Sequence, residues 1–210
     1  MMRKGLGSGQ GETKQLLAEE VFTHIASRII DGTLAPGQRI RDVEVADELH
    51  VSRTPVREAL QRLERLGMVT MYPSRYTEVT AVTPAIIAQT LEFAGYQAGV
   101  TTRMGLARIG DAERARLAEL AEQMLTAQEG PEISRTRWAV FSYLSEHCDN
   151  TQQRALIQDA GVSLFRNLRD WVIPEDDRER MHQIYRDFRD AVLDGDGDRA
   201  EQLARAMHYV

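Results

Sequence analysis

The sequence predicts a mainly α chain in two parts. A compact N-terminal unit closes on a small β-hairpin, and a C-terminal antiparallel all-α helical bundle follows. Three observations carry this reading. Apolar residues recur at spacings of three to four over most of the 210 residues. Strand-like runs, apolar, β-branched and aromatic, occur only at 68–72 and 76–80. From Thr83-Pro84 onward the pattern is helical, and its short turn-rich breaks imply antiparallel neighbours.

The first dozen residues are glycine-rich and polar, and residues 1–12 are expected to form a disordered arm. From about Thr13 a helix is predicted, with Leu17, Val21, Ile25, Ile29 and Ile30 on one side. The turn formers of 31–37 end it. A short helix is expected near Val43–Leu49. Ser52 then has the character of an N-cap, and Pro55 is tolerated in the first turn of the next helix. That helix buries Val56, Leu60 and Leu63, and Gly67 stops it. Pro73-Ser74-Arg75 joins the two predicted strands into a hairpin. The N-terminal unit thus spans 13–80, and the bundle 84–210. Its helices are predicted near 85–108, 111–128, 135–149, 151–172, 177–194 and 197–208. Leu156, Ile157, Ala160, Leu164, Leu168, Trp171 and Val172 form one apolar stripe among them.

Composition excludes several classes. No apolar run approaches the ~18 residues that a membrane span needs. The N-terminus has no apolar core of the signal-peptide kind, so a soluble cytoplasmic protein is expected. A single cysteine, Cys148, rules out an internal disulfide and any multi-thiolate metal site. The net charge of −6 is unevenly spread: residues 1–80 carry eleven basic and eleven acidic side chains, and 81–210 carry 15 and 21. Within 51–75 the balance turns positive, with five arginines against Glu58 and Glu64. That is either a solvated helix face or a small polyanion-binding surface.

Helix, short helix, capped helix and hairpin, in that order, make a winged helix-turn-helix. Such a helix enters the major groove by its N-terminal end, so its first turns reach base edges. Small hydroxyls there clamp phosphate, and arginines pair bidentately with guanine. Ser52, Arg53, Thr54 and Arg57 supply both types. Arg53 and Arg57 are four apart and share an exposed face, while Arg75 sits at the hairpin tip.

Gly37-Gln38-Arg39-Ile40, the run Val45 to Leu60 with its core Val51-Ser52-Arg53-Thr54-Pro55-Val56-Arg57-Glu58-Ala59-Leu60, and Leu66-Gly67-Met68-Val69 strongly resemble the DNA-binding domain of GntR-family bacterial transcription regulators. The resemblance covers about residues 14–82. It implies that Ser52, Arg53, Thr54 and Arg57 contact operator DNA, assisted by a wing around Ser74 and Arg75. The family usually has an arginine where this chain has Val43; Arg41, two residues earlier, is the candidate substitute. Tyr76 stands where the wing commonly has glycine. An operator departing from the family's usual one is therefore expected.

The helical half resembles the effector domain of the FadR-like subfamily, called FCD, through Ala191-Val192, Gly195-Asp196, Ala200 and His208, with Leu91-Glu92 and Phe141 also fitting. Many such domains hold a metal on an aspartate and three histidines. The corresponding positions here are Trp138, Ser142, Tyr185 and His208, and only one retains a ligand type. No metal and no other cofactor are therefore expected, because one histidine cannot hold Zn²⁺ against water. Spacing gives His147, Cys148 and His182 no reason to rescue the site. A Trp, a Ser and a Tyr instead suggest an apolar or aromatic, acid-like effector anchored by Tyr185 and His208. The alternative is that these positions merely pack the core.

The expected function is a sequence-specific transcription regulator, a repressor acting as a homodimer on near-palindromic double-stranded operator DNA. One recognition helix reads too few bases alone, which argues for the dimer. A constitutive dimeric DNA-binding protein without effector is the alternative. An enzyme is not expected, and no catalytic residue is assigned: phosphate loop, nucleophile elbow and His/Glu metal motif are all missing.

Overall fold

The structure, a computed structural model, describes residues 8–73 and 75–210. It divides into two compact units, 1–81 and 82–210.

In the first unit, helix α1 (Ser8–Ile30) turns Val21, Phe22, Ile25 and Ile29 inward. Helix α2 (Asp42–Glu48) and helix α3 (Arg53–Arg65) follow, and α1 packs on α3 through Val56, Leu60 and Leu63. Between α2 and α3 the backbone of His50 is left-handed, at φ 54°, and Val51 N–H donates to Ala46 O at 3.0 Å. That sharp turn sets the second helix of the pair across the first.

Strands β2 (Val69–Tyr72) and β3 (Tyr76–Val79) form the expected hairpin, with Met71 opposite Thr77. A third strand, β1 (Arg39–Ile40), pairs antiparallel with β3 and gives the order β1-β3-β2. Two residues are too short to show an alternating pattern, so the sequence did not reveal it. The expected disordered arm also needs correction: α1 begins at Ser8, so residues 8–12 are helical, while 1–7 lie outside the described residues. Once the apolar part of α1 is nucleated by packing, adding polar residues to its end costs little.

The second unit comprises α4 (Pro84–Leu106), α5 (Asp111–Gln123), α6 (Gly130–Glu146), α7 (Thr151–Asn167), α8 (Arg178–Asp194) and α9 (Gly197–Ala206). Thr83 caps α4 by accepting from Ile86 N–H, and Pro84 occupies the first turn. Asn150 and Asp196 cap α7 and α9 in the same way. Helix α8 ends at Gly195, whose φ of 70° is the left-handed stop that glycine supplies freely. The core runs from Ala98 and Leu106 through Leu117, Val140, Leu144, Phe188 and Val192 to Ala200 and Met207. Arg189 to Glu122, and Arg103 to Asp198, tie α8 to α5 and α4 to α9 at the rim.

Three boundaries differ from expectation by five residues, the first being α5, which ends at Gln123 rather than near 128. Helix α6 starts at Gly130, because Pro131 in a first turn favours a helix rather than breaking it. Helix α7 ends at Asn167, so Trp171 and Val172 leave the predicted stripe, and Val172 and Leu156 are exposed. Pro174 holds Ile173 toward extended backbone, so no helix resumes before it. Among the described residues, no helix is long and apolar enough to cross a membrane.

Candidate nucleic-acid interface and ligand cavity

Helix α3 divides cleanly. Pro55, Val56, Ala59, Leu60 and Leu63 are buried. Arg53, Thr54 and Arg57 stand outward beside exposed Ser52. Ser52 occupies the N-cap, yet its side chain makes no capping bond. Its hydroxyl and the first-turn N–H groups thus face outward at the positive end of the helix dipole, a favourable place for phosphate.

The two arginines are not loose. Arg53 Nη2 and Arg57 Nε both donate to Asp42 Oδ2, at 2.8 and 2.9 Å, from side chains 52% and 59% exposed. Burial pushes the Asp42 carboxyl upward, but the hydrogen bonds from Arg53 and Arg57 outweigh it and hold the carboxyl below its ordinary value. The result is two guanidiniums converged on one carboxylate at the N-terminal end of α3. Sequence reasoning missed Asp42, because a pair spanning eleven and fifteen residues exists only once α2 and α3 have packed.

The other expected contacts are scattered more widely. Arg41 is exposed and pairs with Glu44 at 3.1 Å; Val43, where the family carries arginine, is also exposed. Arg75 is exposed at the hairpin tip, and its N–H donates to Tyr72 O. Ser74 lies outside the described residues. Tyr76 lies between the Tyr72 ring, 4.6 Å away, and the Arg39 guanidinium, 4.1 Å away. An aromatic thus stiffens the wing where glycine is usual. Arg62, one of the five arginines of the basic stretch, is taken up by Glu19 and the Phe22 ring.

The helical unit contains a cavity of about 60 Å³ between α4, α6 and α7, with His208 at one side. Its walls are chiefly Ala94, Ala98, Phe141, Leu164, Phe165 and Trp171. Trp138 lies against Gly161, where any Cβ would collide with its ring, and makes an edge contact with Phe165 at 5.5 Å. The glycine is therefore what lets an indole lie between α6 and α7.

Of the four positions expected to bind an effector, Trp138 and His208 line this cavity. Tyr185 is buried and reaches it only through Arg137, whose Nε and Nη2 donate to the Tyr185 hydroxyl at 3.0 and 2.7 Å. Ser142 is not among the lining residues; its hydroxyl lies 3.4 Å from the Ala139 carbonyl, its own preceding turn. Ser142, part-buried on α6, therefore stands apart from the other expected positions. Arg137, 5% exposed, was missed. In sequence it follows Arg135 by two and reads as part of a solvated face.

His208 Nδ1 faces Ala204 O at 2.8 Å, so the ring carries its hydrogen there. Burial, reinforced by the Arg137 charge, pushes its pKa down to about 3, so the imidazole is neutral at physiological pH. The residues at the subfamily's metal positions do not fit a divalent ion. One imidazole, an indole, a phenol and a serine lack the donor set, and a guanidinium stands beside them. Among the described residues, no cluster of three His, Cys, Asp or Glu could hold a metal.

The winged fold, with an arginine-bearing helix in the reading position, defines a DNA-binding transcription regulator, and that class is not enzymatic. Residues 17–79 match the family described as bacterial regulatory proteins, gntR family, and residues 99–208 match the FCD domain. The chain belongs to the GntR family, in the group with an FCD effector-binding domain. Over 198 residues, 90% of this chain and 80% of the relative, it is 24% identical to an uncharacterized HTH-type transcriptional regulator of Mycobacterium tuberculosis. It is 33% identical over 99 residues to the Nta operon transcriptional regulator of Aminobacter aminovorans, 47% of this chain and 46% of that one. In structure it is similar to E. coli McbR/YncC, with a TM-score of 0.67 at 20% identity over 92% of this chain and 93% of that one. A GntR regulator from a Rhodococcus species gives 0.64 at 20% identity, over 91% and 93%. At these identities the structural likeness establishes the fold.

Proposed function

We propose that this chain is a cytoplasmic, homodimeric repressor that reads a near-palindromic operator through α3 and releases it in response to a small organic acid. The observation that carries the reading is the convergence of Arg53 and Arg57, with Ser52 and Thr54, on the exposed N-terminal end of α3. Arginine in the first turns of a groove helix pairs with guanine edges, and hydroxyls beside it fix the register on phosphate. Ser74 and Arg75 on the wing add backbone contacts, and Arg41 stands in for the arginine missing at Val43.

Dimerisation has support of its own. Phe93, Tyr96 and Val100 are 41%, 48% and 39% exposed and share one face of α4. An exposed apolar stripe at helical spacing suits a two-fold partner. The effector reading is favoured over a constitutive DNA binder by the cavity, because a core that only dimerises has no use for a buried arginine beside a void. An effector acts by preferring one arrangement of the two reading heads.

The test is selection of duplexes from a random library by the full chain, with mass measured by light scattering. An enriched inverted repeat bound by a two-chain species is expected. A monomer, or no enriched sequence, would overturn the proposal.

A further inference from the structure

We propose that Arg137 is the anchor of a metal-free organic-anion site, and that the ligand is a compact monocarboxylate with an apolar, ring-sized body. The inference deepens the effector reading above and rests on it for its regulatory meaning. It names the charge that does the work of the subfamily's metal.

The argument begins with a charge that has no counter-charge. Arginine stays protonated at every physiological pH, and burying it is costly unless an anion is near. Among the described residues, no carboxylate pairs with Arg137. Its neighbours are the Tyr185 hydroxyl, the Met181 sulfur at 3.6 Å, and the rings of Trp171 and Tyr185 at 5.3 and 5.6 Å. Cation–π contact offsets part of the burial cost. The Nη1 atom is buried and makes no hydrogen bond. The phenol occupies the Nε edge of the fork, so the two N–H groups of Nη1 remain, in a residue that lines the cavity. An entering carboxylate would satisfy them with charge-assisted bonds in a place where water screens little.

The rest of the cavity selects the ligand's class. No acidic side chain lines it, and His208 is neutral, so the site carries one positive charge and suits one negative charge. The walls are aliphatic and aromatic: Ala94, Leu164, Phe141, Phe165 and Trp138 accept an apolar body and offer a di- or tricarboxylate nothing for its further charges. At roughly 10–15 Å³ per water, about 60 Å³ holds a handful of waters, a space that suits a ring-sized body. Besides Arg137 and His208, Gln97, Thr101 and Ser134 are the polar residues on the lining.

The test is a thermal unfolding series on full-length protein in buffer with EDTA. Benzoate, phenylacetate and cyclohexanecarboxylate are the probes, each paired with its primary amide. At about ten times its dissociation constant, a fitting acid should raise the helical unit's Tm by roughly 3–6 °C, and its amide should not. Arg137→Gln should abolish the shift. Should that variant fail to fold, Arg137→Lys keeps the charge without the fork and should weaken the acid at least tenfold.

Equal shifts from acid and amide, shifts that need a divalent metal, or no shift from any acid would overturn the site. The same acids are added to the protein on its selected duplex. Acid binding without any change in DNA affinity would sustain the site and overturn the effector reading alone.

Discussion

Arginine is used in opposite ways in the two units. On α3, Arg53 and Arg57 are half exposed and share the Asp42 carboxylate. In the helical unit, Arg137 is buried against the Tyr185 phenol, the Met181 thioether and the Trp171 indole, and among the described residues no carboxylate pairs with it. Exposed ion pairs contribute ~0–1 kcal/mol, so the α3 guanidiniums exchange Asp42 for another anion at little cost. A buried guanidinium short of partners is destabilising until an anion arrives. The first arrangement suits a polyanion met in water at the surface. The second suits a small anion drawn out of water into a void. The electrostatics of each site thus point to its ligand's size.

The largest effect that sharpens this contrast lies on the buried side. His208 is held neutral in the folded state, with a pKa of about 3 against an ordinary value near 6.5. Below pH 6.5 the unfolded chain takes up a proton that the folded chain refuses, so stability falls as pH falls and recovers as pH rises. Between pH 7 and pH 5 this one group should remove roughly 2 kcal/mol. Urea unfolding of the wild type and His208→Gln at both pH values checks it. An equal loss in the two proteins would break the claim that His208 stays neutral in the cavity wall.

The smaller effect lies on the exposed side. Asp42→Asn removes one negative charge from the N-terminal end of α3 and frees both arginines. Affinity for duplexes of any sequence should rise a few-fold, in keeping with exposed pairs worth under about 1 kcal/mol. The dependence on salt should steepen by up to about one phosphate contact. Anisotropy titrations of scrambled duplex at two salt concentrations measure both. A loss of affinity would mean that Asp42 positions the arginines rather than competing for them.

The two halves also differed in how much their sequence disclosed. Val51 to Leu60 is local: cap, hydroxyls, arginines and inward apolar residues lie within ten positions, so pattern alone placed α3 and its exposed face. The hairpin was readable for the same reason, whereas β1, at two residues, left no period to detect. Asp42 could be found only from the packing of α2 on α3. In the bundle, apolar spacing gave the helices, and Thr83-Pro84 gave the start of the first. The cavity was only half legible. Trp138 and His208 were reached through the positions of a metal that does not fit, Ser142 stands apart from them, and Arg137 was hidden among surface-like neighbours. What buries Arg137 is α8 and the segment at Trp171, more than thirty residues away along the chain.

The central claim is that Arg53 and Arg57 read bases. Its most direct test is the affinity of wild type, Arg53→Ala and Arg57→Ala for the selected duplex and for a scrambled one, at a fixed salt concentration. Each substitution should cost roughly 1–3 kcal/mol on the selected duplex and distinctly less on the scrambled one. Unchanged affinity for the selected duplex in both variants would contradict the account.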